Sequence, residues 1–161
     1  MSPVDALWVA MRCLDEENAI AAMESAIRKG FLPETQVRRL GVLAPRRLQA
    51  GIRLLVSNSG SGNETIVRLR LRRAGYTVIA QGHVPGLGHQ DLVIEDSVGL
   101  EIDSREWHGD EQGATDADRD LHAEGLGRHV LRIRPHHVHQ SWPHTLAVID
   151  RVVADALRLR R

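Results

Sequence analysis

The sequence predicts a mixed α/β fold in which a helical N-terminal extension precedes a single α/β domain. Apolar residues recur at helical spacing through the first third of the chain, whereas short β-branched runs separated by turn residues appear after residue 75. The length of 161 residues and the hydrophobic content of 42% suit one ordinary domain with a small appendage. Local signals then define the individual elements.

The N-terminal extension is predicted to consist of helices. The apolar spacing of residues 6–14 indicates a first helix, and Asp15 can cap a second helix that ends at Gly30. Pro33 and Pro45 occupy positions that are typical of helix starts, each before a further amphipathic segment.

The segment SNSGSGN, residues 57–63, has the small polar composition of a linker. We therefore predict a helical extension over 1–57 and an α/β domain over 58–161. The elements expected in this domain follow the order α-β-β-β-α-β-α: a helix over 63–75, strands over 76–81, 91–95 and 98–103, a helix over 116–124, a strand over 129–134 and a helix over 143–159.

Several composition features restrict the class of protein. No apolar run approaches the roughly 18 residues that a membrane span needs, and the N-terminus lacks the basic region of a signal peptide. The single cysteine, Cys13, cannot form an internal disulfide, which fits a reducing compartment. These features predict a cytoplasmic protein with no membrane partner, and no motif indicates an organic cofactor.

Charge is unevenly distributed, although the formal net charge is zero. Residues 31–75 hold nine arginines against two acids, residues 76–120 two against eleven, and residues 121–161 seven against three. An acidic centre between arginine-rich segments suits a metal-dependent phosphodiesterase, because carboxylates hold the cation and guanidinium groups hold phosphates. Ordinary solvated helices around an acidic loop would give the same counts, so both interpretations stay open.

Three carboxylates are the candidate metal ligands. Asp91 opens one predicted strand, and Glu101 and Asp103 lie two residues apart at the end of the next. Alternation directs the latter two to one face, and pairing of the strands as a hairpin brings Asp91 close to them. Such oxygen ligands suit Mg²⁺ or Mn²⁺, which would polarise a phosphate and activate water. Acidic residues at strand ends also serve as solvated turn formers, which is the alternative interpretation.

Two further residues are candidates for the catalytic site. Glu64 lies in the first turn of the helix over 63–75, where a capping role is the alternative explanation. His108 follows the Glu101–Asp103 pair in SREWHGD, and its imidazole can act as a general acid or base near neutral pH.

Contacts to DNA are expected from basic and aromatic side chains around this set. Arg68 and Arg72 lie on the helix over 63–75, where a phosphate-contacting face competes with a plain solvated face. Trp107 can stack on a base, although a core aromatic beside the site is the other interpretation. Arg105 and Arg119 complete the predicted set of DNA-binding residues.

The joint spacing of these residues resembles a known family. The runs S-x-x-x-N-E-x-x-x-R-x-x-L-R-x-A-G, G-H-Q-D-L-V-I and L-E-I-D-S-R-E-W-H are similar to very-short-patch-repair-like (Vsr-like) endonuclease domains. These domains belong to the PD-(D/E)XK restriction-endonuclease-like superfamily. The likeness covers about residues 58–138. The family's later D-x-x-R-D helix is matched by Asp116, Arg119 and Asp120, and its glycine followed by V-L-R is matched by Gly127 and residues 130–132.

The resemblance implies a restriction-endonuclease-like mixed sheet with an αβββαβ core and a metal-dependent DNA endonuclease activity. Glu64, Asp91, Glu101, Asp103 and His108 fall in order on the family's catalytic pattern. The chain departs from it at Ser104, where a glycine is usual, and at Asp103, which lies near the position of the superfamily's common lysine. His108 would then supply the acid–base function.

The resulting expectation is a Mg²⁺- or Mn²⁺-dependent endonuclease of a bacterium, or of a phage in a bacterial host, with DNA as its partner. A homodimer is left open. The alternative is a nuclease-fold protein that has lost catalysis and binds DNA or another protein, as a phage regulator or a toxin–antitoxin component would.

Overall fold

The computed structural model describes residues 1–84, 88–103 and 129–159. The chain divides into two units, Met1–Arg73 and Ala74–Arg161. None of the helices in the described ranges combines the length and the apolar character that crossing a membrane requires.

The first unit is built from helices. The second helix begins at the predicted cap, since the Asp15 carboxylate accepts a hydrogen bond from the Asn18 N–H at 3.0 Å. It ends before Gly30, whose φ of +70° is typical of a helix stop. The elements are α1 (Pro3–Cys13), α2 (Glu16–Arg28), α3 (Glu34–Val42), a 3₁₀ turn (Arg46–Leu48), α4 (Gln49–Arg53) and α5 (Gly62–Arg73).

Helix α5 belongs to the core of this first unit. Leu69 is fully buried and lies in the same hydrophobic cluster as Met11, Ile20 and Met23. The glycine- and serine-rich segment before α5 is also anchored, because Ser59 is buried with its Oγ 2.9 Å from Thr65 Oγ1. The chain therefore divides after Arg73, whereas the sequence placed the boundary at 57/58.

The second unit contains a four-stranded mixed sheet. Its strands are β1 (Val78–Val84), β2 (Gly88–Ile94), β3 (Val98–Ile102) and β4 (His129–Ile133), in that spatial order. The first three strands pair antiparallel, and β3 pairs parallel to β4. Two helices follow, α6 (Pro135–His139) and α7 (Trp142–Leu159). The mixed sheet with helices confirms the predicted α/β class.

The predicted elements of this unit differ in how well they match the observed ones. Helix α7 spans the predicted range and buries Ile149 and Val153, while α6 was not predicted. Strand β2 starts at Gly88, ahead of the start predicted at residue 91. The helix predicted over 116–124 lies outside the described residues.

The hairpin between β2 and β3 closes through a tight turn with an unusual composition. Glu95 and Asp96 have φ of +50° and +51°, and the Ser97 N–H donates to the Ile94 carbonyl at 3.0 Å. Two consecutive positive φ angles characterise the type I′ turn, which prefers Asn-Gly because side chains with a Cβ are strained there. A hydrogen bond offsets part of the strain at Glu95, because its Oε1 accepts the Thr77 N–H at 2.6 Å.

Asp96→Gly is therefore expected to stabilise the protein by about 0.5–1 kcal/mol. This net gain is the backbone strain that glycine relieves, reduced by the conformational entropy that glycine adds to the unfolded chain. Urea denaturation measures the change. Asp96→Ala retains the Cβ and serves as the matched control. Equal stability of the glycine and alanine variants would show that the turn carries no such strain.

Candidate functional site

The candidate site lies at the open end of the β2–β3 hairpin. The strands pair as Leu92↔Leu100, Val93↔Gly99 and Ile94↔Val98. Extending this register by one residue sets Asp91 opposite Glu101. The next bond of the ladder comes from a side chain, since the Ile102 N–H donates to Asp91 Oδ2 at 2.7 Å. This bond orients a half-buried carboxylate whose second oxygen offers further lone pairs.

Strand β1 is distorted beside the same aspartate. Regular pairing runs through Ala80↔Leu92 and Gly82↔Gln90 and skips Gln81, which lies opposite Asp91. Gln81 has a φ of +51°, a value that a side chain with a Cβ rarely adopts inside a strand. The neighbouring Gly82 is required sterically, because a Cβ there would lie 2.6 Å from Val93 Cγ2. Backbone strain of this kind is common at functional sites. The position opposite Asp91 is therefore a candidate for part of such a site.

Glu101 and Asp103 differ in their surroundings. Glu101 pairs in parallel register with Arg132 of β4, and its Oε2 lies 2.9 Å from Arg132 Nε. Asp103 is exposed, and its N–H continues the β3–β4 ladder to the Ile133 carbonyl at 3.0 Å. The buried Ile102 separates the two acids, as the predicted alternation requires. Of the pair, Glu101 is the one that lies opposite Asp91.

Glu64 is held within the first unit by the start of its own helix. Its side chain is buried, and Oε2 accepts the Gly60 N–H at 2.7 Å. Its own N–H donates to Ser61 Oγ at 3.2 Å, so that Ser61 caps α5. The capping role that the sequence offered as the alternative is therefore present in the structure.

The arginines of α5 mostly form ion pairs inside the first unit. Arg70 Nη2 lies 2.7 Å from Glu17 Oε2, and Arg73 Nη2 lies 2.9 Å from Glu16 Oε2. Arg68 is buried, with Nη2 paired to Glu24 and Nη1 donating to the Leu54 carbonyl at 2.6 Å. A guanidinium enclosed in this way cannot reach a phosphate, so the expected DNA contact of Arg68 gives way to a structural role. Arg72 remains exposed.

The buried carboxylate of Glu24 was missed by the sequence interpretation. Its oxygens accept from Arg68, from the Val56 N–H at 2.8 Å and from Thr65 Oγ1 at 2.6 Å. Burial raises the pKa of Glu24 above its ordinary value, although the charge of Arg68 and these hydrogen bonds act in the opposite direction. The signal that could have revealed it is its position four residues after Ile20, on the apolar face of α2.

The remaining candidates, Arg105, Trp107, His108 and Arg119, lie outside the described residues. So do Ser104, Asp116, Asp120 and Gly127. Among the residues that are described, no group of three or more His, Cys, Asp or Glu side chains is arranged to hold a metal ion. The fit of a cation therefore depends on the pair Asp91 and Glu101.

That pair is chemically suited to Mg²⁺. The ion binds hard oxygen ligands and commonly uses only one or two carboxylates, retaining waters and accepting substrate phosphates in its other positions. Both side chains are half-buried, so solvent and substrate can reach them.

No protein-family model matches this chain, and no curated protein or solved structure matches it significantly.

Proposed function

We propose that this chain is a metal-dependent endonuclease that hydrolyses phosphodiester bonds in DNA, on a restriction-endonuclease-like core. The observation that supports this most is the row of Asp91, Glu101 and Arg132 across β2, β3 and β4. Two hard carboxylates adjoin one guanidinium there, with Glu101 and Arg132 in direct contact. A phosphodiesterase needs this combination, since its cation and its phosphate must be held side by side.

Each residue of the site has a distinct task under this proposal. Asp91, oriented by the Ile102 N–H, and Glu101 would hold Mg²⁺ or Mn²⁺, with Asp103 at the solvent side. The cation, when bound, polarises the phosphate and lowers the pKa of the attacking water. His108 would exchange protons with the attacking water or the leaving oxygen. Glu64 belongs to the first unit, where its side chain accepts the Gly60 N–H, and its part in catalysis stays a prediction from the sequence.

Binding of the DNA backbone is assigned to exposed cationic groups. Arg72 is exposed on α5 and can contact a phosphate. The sequence alone supports the other proposed DNA contacts, which are phosphate binding by Arg105 and Arg119 and base stacking by Trp107. Bacterial or phage DNA as the substrate implies a cytoplasmic site of action, and a second copy of the chain would allow cleavage of both strands.

One observation favours the alternative of a catalytically inactive DNA-binding or protein-binding module. Both central carboxylates are already engaged, Asp91 with a backbone N–H and Glu101 with Arg132. An ion pair that persisted in the presence of metal would keep Glu101 from serving as a ligand.

Metal dependence of DNA cleavage distinguishes the two functions. Purified protein is incubated with supercoiled plasmid in Mg²⁺ or Mn²⁺, with and without EDTA, beside an Asp91→Ala variant. The endonuclease should nick or linearise the plasmid, and EDTA or Asp91→Ala should stop it. Tight, EDTA-insensitive DNA binding without cleavage would support the inactive module, and cleavage by Asp91→Ala would remove the site assignment.

A further inference from the structure

Arg132 occupies a position that stability alone does not explain. Its Nε lies 2.9 Å from Glu101 Oε2, with side-chain exposures of 34% and 27%. Ion pairs as exposed as this one contribute little to folding, because solvent screens them. The pair nevertheless lies in the same part of the sheet as Asp91 and the strained Gln81.

The pairing of the strands determines the face of the sheet on which this guanidinium lies. Val130, two residues earlier on β4, packs with Val84 and Val93 in an apolar cluster. The intervening Leu131 lies on the opposite face of the strand. Alternation puts Arg132 on the same face as Val130. The planar guanidinium therefore extends the row begun by Asp91 and Glu101, and a phosphate bound to a cation there would lie beside it.

We propose that Arg132 is a substrate-phosphate-binding residue that Glu101 holds in place until a divalent cation binds. This inference rests on the proposed nuclease function. Glu101 cannot give its full charge both to the guanidinium and to a cation. A metal bound to Glu101 would draw charge from the carboxylate and weaken its ion pair with Arg132, and the guanidinium would then exchange Glu101 for two phosphate oxygens in the bidentate manner that arginine favours.

The proposal predicts effects of opposite sign on two measurements. Arg132→Gln removes a competitor for Glu101, so Mn²⁺ should bind about 5-fold more tightly in the absence of DNA. The same substitution removes a phosphate contact, so cleavage at saturating Mn²⁺ should fall by roughly 10²-fold. A purely structural role would weaken both.

The experiment titrates Mn²⁺ into the full chain by isothermal calorimetry and then measures plasmid cleavage. Arg151→Gln, an exposed arginine on α7 with the same change of charge, is the matched control and should alter neither measurement by more than about 2-fold. Arg132→Lys keeps the charge without the planar fork. It should bind Mn²⁺ like the wild type and cleave slowly, and it keeps the test available if Arg132→Gln folds poorly.

The outcomes separate this inference from the proposed function. Unchanged or weaker Mn²⁺ binding by Arg132→Gln, with wild-type binding that Glu101→Gln abolishes, would overturn the role of Arg132 and leave the nuclease site standing. Mn²⁺ binding that is insensitive to Glu101→Gln, or its absence in the wild type, would overturn the metal site itself and the inference with it.

Discussion

We expect Asp91→Asn to reduce the rate of Mg²⁺-dependent DNA cleavage by roughly 10³-fold, with little change in stability. Asparagine has nearly the same shape, and its side-chain oxygen can still accept the Ile102 N–H that aspartate accepts at 2.7 Å. It lacks the negative charge that a divalent cation requires. The loss should therefore appear in the rate under single-turnover conditions and in metal affinity, while the thermal midpoint stays near that of the wild type.

The control for this substitution is Asp96→Asn, the same chemical change at the other end of the hairpin. Asparagine tolerates the positive φ of that position well, so activity and stability should both be retained. Cleavage by Asp91→Asn within a few-fold of the wild type would remove Asp91 from the metal site. A large loss in Asp96→Asn would show that the effect is one of general charge.

Arg68→Ala is expected to destabilise the first unit by about 3–5 kcal/mol, because it leaves the buried Glu24 carboxylate without its guanidinium partner. The expected loss is smaller at pH 5 than at pH 7. A carboxyl whose pKa is raised by burial stabilises the folded state when it is protonated, and this contribution is lost as the pH rises through the folded-state value. Urea denaturation at the two pH values measures both effects.

Two further variants test whether the loss in Arg68→Ala comes from the unpaired Glu24 carboxylate. Arg72→Ala changes an exposed arginine of the same helix and should shift stability by no more than about 0.5 kcal/mol. The double substitution Glu24→Met with Arg68→Met removes both charges and should recover much of the loss, as apolar replacement of a buried ion pair often does. A loss below about 1 kcal/mol in Arg68→Ala would contradict a buried, paired charge at this position.

The contrast between Arg68 and Asp91 shows what a sequence can predict. The β2–β3 hairpin is local, so strand alternation and a short turn suffice to bring Asp91 opposite Glu101. The Asp15 cap and the Gly30 stop of α2 are local as well. Arg68 meets a glutamate 44 residues away, and nothing in its own helix reveals whether it faces solvent or that carboxylate.

The contacts of Arg132 and of the segment over 57–63 involve residues that are distant in the sequence, so neither set could be predicted from local patterns. Arg132 meets Glu101 through a parallel pairing 31 residues apart, and a parallel register is not set by a turn. The segment over 57–63 has the composition of a linker, yet Ser59 joins Thr65 in satisfying a buried carboxylate network. Polar residues act as a linker only where no buried polar group needs them.

A crystal of the protein grown with Mn²⁺ tests the central claim most directly. The anomalous difference map should contain one peak at about 2.2 Å from oxygens of both Asp91 and Glu101, with the guanidinium of Arg132 turned away from Glu101. A map with no ion near Asp91 and with the Arg132–Glu101 pair intact would contradict the proposed metal site.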